Sequence, residues 1–376
     1  MKFWDTTKKE FNKTVLIIPN WTWFGKNKDI NSDSFLLVMK SFLENNRGAD
    51  NCKWIIPYPT ENLPTSLSNF DNVELVDLGK LSTFAPMMKT QFPSNFFKNI
   101  FGQKIDIIWS HLPEWTNQTL IARRWNVMTQ PVYGYCHWWE TKENGAYKWN
   151  SFVANINGIL QMKECGVNSK WVKNLIIERA GEYFSQKQLD KLEEIIQPWY
   201  LGSDKHRDNT EKNDIPTIVF NHRNNGWTGY QYFFDLMDKF HQKGYKFKVY
   251  TTTADIDKPY VEYVGNPNRE EYLKNISKAH IGVGAFKDYS AWSMSVTDGL
   301  SVGIPYMLPK GLCYDEMVGD DYPLLYNDRV ELESWIEKFL NYGKPPMIDT
   351  KPIVDKLMWS NSLTNWTISK VIDEER

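Results

Sequence analysis

The feature that most constrains this chain is an alternation of short apolar runs with amphipathic helical patterns, played twice around one highly charged stretch. In the first half the runs are "TVLIIPN" (14–20), "CKWIIPYP" (52–59), "VELVDL" (73–78), "IDIIWSH" (105–111) and "PVYGYCHWW" (131–139). Short, continuous apolar runs fit strands buried on both faces. Helical patterns such as "SFLLVMKSFLEN" and "NQTLIARRWNVM" fall between them, and "GILQM" (158–162) and "IIQPWYLG" (195–202) read as further strand ends. Strand and helix in alternation predict a parallel sheet covered on both sides.

The rhythm breaks at "SDKHRDNTEKNDIP" (203–216), dense in charges of both signs, and then restarts. Strands are expected in "TIVFN" (217–221), "KFKVYTT" (246–252), "EYVGN" (262–266), "HIGVGAF" (280–286) and "PYMLP" (305–309). Helices are expected in "TGYQYFFDLMDKFHQKG", closed by Gly244, in "NREEYLKNISKA", which Asn268 can cap with Glu271 three residues on, and in "WSMSVTDGLSVG". A chain of 376 residues is also long for one hydrophobic core. The expected architecture is α/β, with two Rossmann-like domains facing each other across a cleft. An N-terminal domain spans 1–202, a linker 203–216, a second domain 217–350, and a closing helix 351–376. In such sheets ligands collect at the carboxyl ends of the strands.

Composition narrows the function classes. A net charge of −2 gives no global pull toward nucleic acid, while leaving room for a local basic surface. No stretch is apolar for long enough to span a bilayer, and "MKFWDTTKKEF" lacks the apolar core of a signal peptide, so a cytoplasmic protein is expected. Cys52, Cys136, Cys165 and Cys313 form no C-x-x-C pair, which argues against a disulfide framework and against a zinc site. Seventeen tryptophans in a chain that is 15% aromatic either fill two cores or form a stacking surface for sugars or bases.

Residues suited to chemistry follow the strands of the second half. In "IVFNHRNNGWTGYQYF" (218–233), Asn221, His222 and Arg223 precede a turn loosened by Gly226 and Gly229. Backbone amides at a helix entrance, with a guanidinium beside them, suit a phosphate. A plain polar turn capped by Asn225 or Thr228 is the competing reading. In "VGNPNREEYL" (264–273), Gly265, Asn266 and Pro267 can present backbone groups to a nucleobase edge, or form an ordinary turn. In "AFKDYSAWSMSVTDGLSVGIPYMLP" (285–309), Lys287 lies in a loop, Ser293 and Ser295 open a helix, and Asp298 sits inside it. Hydroxyls at a helix start suit a diphosphate, and a carboxylate one to two turns on can accept from ribose hydroxyls.

The run Asp298-Gly-Leu-Ser-Val-Gly303-Ile-Pro305 resembles the Glu-Ala-x-x-x-Gly-x-Pro signature of retaining glycosyltransferases with the two-domain GT-B fold. "YVGNPNREEYLKNISKAHIGVGAF" and "FNHRNNGWTGYQYFF" are similar to that family's preceding segments, so the resemblance covers the whole second domain. It implies a nucleotide diphosphate sugar donor, a UDP-sugar, with no tightly bound cofactor and no metal. It also implies Arg223 on the leaving diphosphate, aided by His222 or Lys287, Asp298 on the ribose, and Gly265 to Pro267 at the base. Two positions depart from the pattern: Thr228 stands where the family has Lys, and Ser290 where it has an acid eight positions before the ribose carboxylate.

In the first domain the resemblance is looser. "IPNWTWFGKNKDINSDSF" (18–35) occupies the loop after the first strand, with Lys26, Lys28 and Asp29 as polar candidates near Gly25. "YGYCHWWETKEN" (133–144) puts His137 where related enzymes hold a His near the donor sugar, with Glu140 as the nearest carboxylate. Glu140 or Asp29 would be the base of an inverting reaction. "IWSHLPEW" (108–115) places His111 and Glu114 at the neighbouring strand end, and "DKLMWSNSLTNWTISKVI" (355–372) is similar to the family's closing helix. For the acceptor, phage GT-B enzymes that glycosylate hydroxymethylated pyrimidines are one template, and the Asn, Lys and Trp usage here resembles that of large-phage proteins. Trp21, Trp23, Lys26, Lys28, His111 and Lys142, with Arg123 and Arg124, would then meet duplex DNA and a base extruded from its stack. A cell-envelope glycan or lipid-linked acceptor is the rival, but the basic amphipathic helix common in such enzymes is not evident. A catalytically silent nucleotide-sugar binder is the third reading. The expected state is a monomer.

Overall fold

A computed structural model describes residues 10–19, 34–60, 63–80, 100, 103–116, 129–136, 146–207, 211–224, 226–266, 268–286 and 289–374. The chain forms two compact units, Met1–Trp199 with Leu363–Arg376, and Tyr200–Ser362.

Unit 1 contains β1 (Lys13–Ile18), α1 (Ser34–Asn45), β2 (Cys52–Tyr58), β3 (Val73–Asp77), β4 (Ile107–Ser110) and β5 (Val132–Cys136). These are followed by α2 (Ala146–Ile159), β6 (Glu164–Val167), α3 (Lys170–Ala180), α4 (Gln186–Ile195) and β7 (Ile196–Pro198). Its seven strands run in the order β3-β2-β1-β4-β5-β6-β7. Every pairing is parallel, with Val15 opposite both Trp54 and Ile107. Residues 15–18 are fully buried, as a central strand with helices on both faces requires.

The run "GILQM" is not a strand end. Gly158 and Ile159 close α2, residues 160–163 turn, and β6 begins at Glu164. Its apolar residues face the core from a helix end, and a five-residue apolar run carries no periodicity that separates that case from a strand.

Unit 2 contains β8 (Thr217–Phe220), α5 (Tyr230–Gln242), β9 (Lys248–Thr251), β10 (Val261–Tyr263), α6 (Arg269–Ile276), β11 (Ile281–Val283) and α7 (Met294–Ser301). It continues with β12 (Tyr306–Pro309), α8 (Tyr314–Val318), β13 (Leu325–Tyr326), α9 (Arg329–Tyr342), α10 (Lys351–Leu357) and α11 (Trp359–Ser362). The order is β10-β9-β8-β11-β12-β13, again all parallel. Strand order reverses between β8 and β11, and in such sheets ligands bind outside the carboxyl ends of the strands at such a reversal.

The described residues of the charged stretch 203–216 are fastened to unit 2. Asp204 pairs with Arg269, Arg207 with Glu270, the Lys212 ammonium donates to the Ser277 carbonyl, and the Asn213 N–H donates to Lys278 O. Its charges read as solvated because their partners lie more than 60 residues away in sequence. After α11 the chain rejoins unit 1 through a short 3-10 turn (Leu363–Asn365) and α12 (Thr367–Asp373). Trp366 there stacks on Tyr135 and Trp199 at 5.3 and 5.5 Å between ring centroids. With Trp54 and Trp109, also fully buried, it forms an aromatic core.

Candidate functional site

The strand-order reversal of unit 2 gathers three chain segments. Directly after β8 come Asn221, His222 and Arg223. Asn221 is buried, and its amide is fully engaged: Nδ2 donates to Tyr272 Oη at 2.8 Å and to Ser295 O at 2.9 Å, while Oδ1 accepts from Tyr306 Oη at 2.9 Å. His222 is buried between Phe220 and Phe286, with Nε2 3.1 Å from Val283 O at the end of β11. A carbonyl only accepts, so Nε2 carries the proton. Burial lowers the imidazole pKa to about 4, outweighing that bond, so the ring is neutral near pH 7. The expectation that His222 adds positive charge for a diphosphate is thereby corrected: it pins β8 to β11.

Arg223 is exposed, and its guanidinium has no carboxylate partner among the described residues. Its own carbonyl accepts from the Thr228 hydroxyl at 2.8 Å, which closes the turn. Thr228 is therefore the strut of this loop. Gly229 begins α5 at φ +67, and a Cβ there would stand 1.8 Å from Ala285 O, so only glycine lets the β8 and β11 loops meet this closely.

The second segment leads from β11 into α7. Ser293 caps α7 by accepting from Val296 N at 3.3 Å, and the cap leaves first-turn amides such as those of Met294 and Ser295 without intrahelical acceptors. Ser290 points inward and donates to Tyr314 Oη at 3.0 Å. Asp298 is 8% exposed. Its Oδ1 accepts from Arg269 Nη2 at 2.7 Å. Burial holds this carboxyl above the ordinary range, outweighing the opposing pull of the Arg269 guanidinium. Arg269 bridges two acids, with Nε on Asp204 Oδ2 at 2.7 Å, and although burial opposes its charge the two carboxylates outweigh it and raise its pKa. Gly299, next to Asp298, lets α7 lie against the Tyr306 ring, where a Cβ would come within 2.3 Å of Cε2.

The third segment follows β10. Tyr263 lies against Gly265, and Asn266 Oδ1 accepts from Asn268 N at 2.8 Å. Asn268 caps α6 by accepting from Glu270 N and Glu271 N.

Of the residues expected to contact donor, Asn221, His222, Arg223, Ser293, Ser295 and Asp298 thus cluster at the β8/β11 reversal. Gly265 and Asn266 sit at the end of β10, two strands from β8 in the sheet. Pro267, Lys287, Trp21, Trp23, Lys26, Lys28, Asp29, His137, Glu140 and Lys142 lie outside the described residues. His111 is corrected as an acceptor contact: it is 1% exposed, packed against Phe35, Trp109 and Tyr135, and has no face to offer a macromolecule. Sequence reasoning missed Asp204, Arg269, Tyr272 and Tyr306. Among the described residues no group of three His, Cys, Asp or Glu stands arranged for a metal, and no helix is long and apolar enough to cross a membrane.

No family model matches the chain, and no curated protein matches it. Solved structures do. Anabaena HepE in complex with UDP superposes with a TM-score of 0.63 at 12% identity, over 95% of this chain and 100% of that one. The lipopolysaccharide outer core galactosyltransferase WaaB gives 0.65 at 10% identity, over 95% and 99%. A glycosyltransferase from Rickettsia africae gives 0.63 at 13% identity, over 98% and 100%. At these identities the likeness establishes architecture: α/β with two Rossmann-like parallel sheets, the GT-B fold.

Proposed function

We propose that the chain is a glycosyltransferase that binds a nucleoside diphosphate sugar, a UDP-sugar, in unit 2 and transfers the sugar to a hydroxyl acceptor. One observation carries this reading: Arg223, exposed and without a carboxylate partner among the described residues, follows β8, and the buried carboxylate of Asp298 lies on the helix that follows the neighbouring strand β11. A cation suits a diphosphate, and a carboxylate suits vicinal ribose hydroxyls. The structural neighbours named for UDP and for galactosyl transfer agree with it.

The barrier to sugar transfer is departure of a diphosphate from an oxocarbenium-like centre, so fixed positive charge on the leaving group dominates. Arg223 supplies that charge, Lys287 adds to it, and the amides opening α7 add partial charge. His222 contributes position only. Asp298 accepts from the ribose, and the backbone of Gly265 to Pro267 meets the base edge. In this reading His137 stands near the donor sugar, and Asp29 or Glu140 deprotonates the acceptor if configuration inverts; if it is retained, the departing phosphate takes the proton.

For the acceptor we propose a hydroxymethylated pyrimidine in duplex DNA, contacted by Trp21, Trp23, Lys26, Lys28 and Lys142. The likeness to WaaB favours a second reading, a cell-envelope glycan. The test is release of UDP from UDP-glucose or UDP-galactose, with hydroxymethylcytosine-containing duplex or a lipopolysaccharide core oligosaccharide as acceptor. Arg223→Ala is expected to lower turnover by about a hundredfold or more, and Asp298→Ala to weaken donor binding. Transfer to the oligosaccharide and never to DNA removes the DNA acceptor. Donor binding without turnover on any acceptor replaces the enzyme by a nucleotide-sugar-binding protein.

A further inference from the structure

We infer that Asn155, on the inward face of α2 in unit 1, is a binding residue whose side-chain amide receives one hydroxyl of the acceptor. The inference rests on the proposed transfer to a hydroxyl acceptor and gives that acceptor an anchor in unit 1.

α2 turns Phe152, Ile156 and Ile159 inward, and Asn155 stands in that apolar stripe, only 3% exposed. Its Oδ1 is enclosed and has no hydrogen-bond partner among the described residues. Turning the amide over would only put its N–H group in the same enclosed place. An enclosed polar group left unpaired costs stability, whereas an apolar side chain of similar size at that position would not. A local rule broken at such a cost is the mark of a position that serves binding.

The sheet of unit 1 indicates what is bound. Its strand order reverses between β1 and β4, and ligands collect at the carboxyl ends of strands at such a reversal. The turn leaving β4 runs through Pro113 and the buried acid Glu114. α2 is pressed onto that turn, since a Cβ on Gly158 would lie 1.6 Å from Pro113 O. Asn155 precedes Gly158 by three residues, so both lie on one helix face. The hydroxyls of the turn are engaged with their own neighbours: Thr116 Oγ1 donates to Ser110 Oγ at 3.2 Å, and Ser110 Oγ to Leu112 O at 3.0 Å. A side chain so enclosed is reached by one small group and not by a ring or a phosphate. An amide offers an acceptor and a donor, and a hydroxyl offers the matching pair. The end of a hydroxyl or hydroxymethyl arm is the chemistry that fits. A single internal water held for the fold alone is the competing explanation.

The experiment measures the urea midpoint of unit 1 and the release of UDP from UDP-glucose, without acceptor and with hydroxymethylcytosine-containing duplex or lipopolysaccharide core oligosaccharide. Asn155→Leu in the full-length protein is expected to keep or raise the midpoint. It is expected to raise the acceptor KM by about three- to tenfold, the worth of one hydrogen bond, with kcat affected less. Asn155→Ser, which returns a hydroxyl, should recover part of that KM. An acceptor KM equal to the parent's overturns the inference: with the midpoint kept, the amide holds a water only, and with the midpoint lowered, it serves the fold. Should Asn155→Leu not fold, Asn155→Ala decides through the same KM. If the unaltered protein transfers to neither acceptor, the proposed function fails separately, and the midpoint of Asn155→Leu then decides, a fall overturning the inference.

Discussion

His222 stands one residue from the exposed Arg223, yet burial leaves it neutral. Its imidazole pKa falls to about 4 in the folded protein against an ordinary value of 6.5. Below about 6.5 the unfolded chain takes up a proton that the folded one refuses until about pH 4. This contribution to stability is therefore complete above neutral pH and declines as pH drops through that window, by on the order of 3 kcal/mol at most. Urea midpoints of unit 2 measured from pH 7 to 4 are expected to fall, and His222→Asn to flatten part of that slope. An unchanged slope would mean that His222 is solvated. At this scale the sequence singled out Arg223 and Asp298 as candidates, the first just beyond an apolar run and the second at the head of the run closed by Gly303-Ile-Pro305. It could not show Arg269, because a residue whose partners are 65 positions before it and 29 positions after it carries no local signal.

Among the elements, α7 matters most, because it carries Asp298 and its distance from β12 is set by one side chain. The Tyr306 ring fills the space opposite both Gly282 and Gly299. Gly299→Ala must push the ring or the helix aside, at about 1–3 kcal/mol. It is expected to lower the urea midpoint of unit 2 and raise donor KM, since Tyr306 also holds Asn221. The small residues around Asp298 announced this close packing in advance. The strands β1 to β5 and β8 to β12 were equally legible, being short apolar runs bounded by polar turns. The helices α3 and α4 were not. Neither presents a wide apolar stripe: only Val172, Ile176 and Ala180 of α3, and Leu192 and Ile195 of α4, are buried. The ion pairs of the segment 203–216 were hidden for a related reason, since their partners lie far along the chain.

For the whole molecule, the chain ends by completing the core in which it began. Trp366 packs fully buried among Phe42, Trp109, Tyr135 and Trp199, and Lys13 of β1 donates to Val371 O. Trp366→Ala is expected to cost unit 1 about 3–5 kcal/mol and to move its unfolding to lower urea, leaving the unit 2 transition in place. Coincident loss of both transitions would mean that the units do not unfold separately. The central claim, that the β8/β11 reversal of unit 2 is a sugar-nucleotide site worked by Arg223, is tested most directly by the rate of UDP release from UDP-sugars. The protein should release UDP, and Arg223→Ala should lose about a hundredfold or more of that rate while staying folded. Failure to bind or turn over any nucleoside diphosphate sugar, or an Arg223→Ala rate equal to that of the parent, would contradict it.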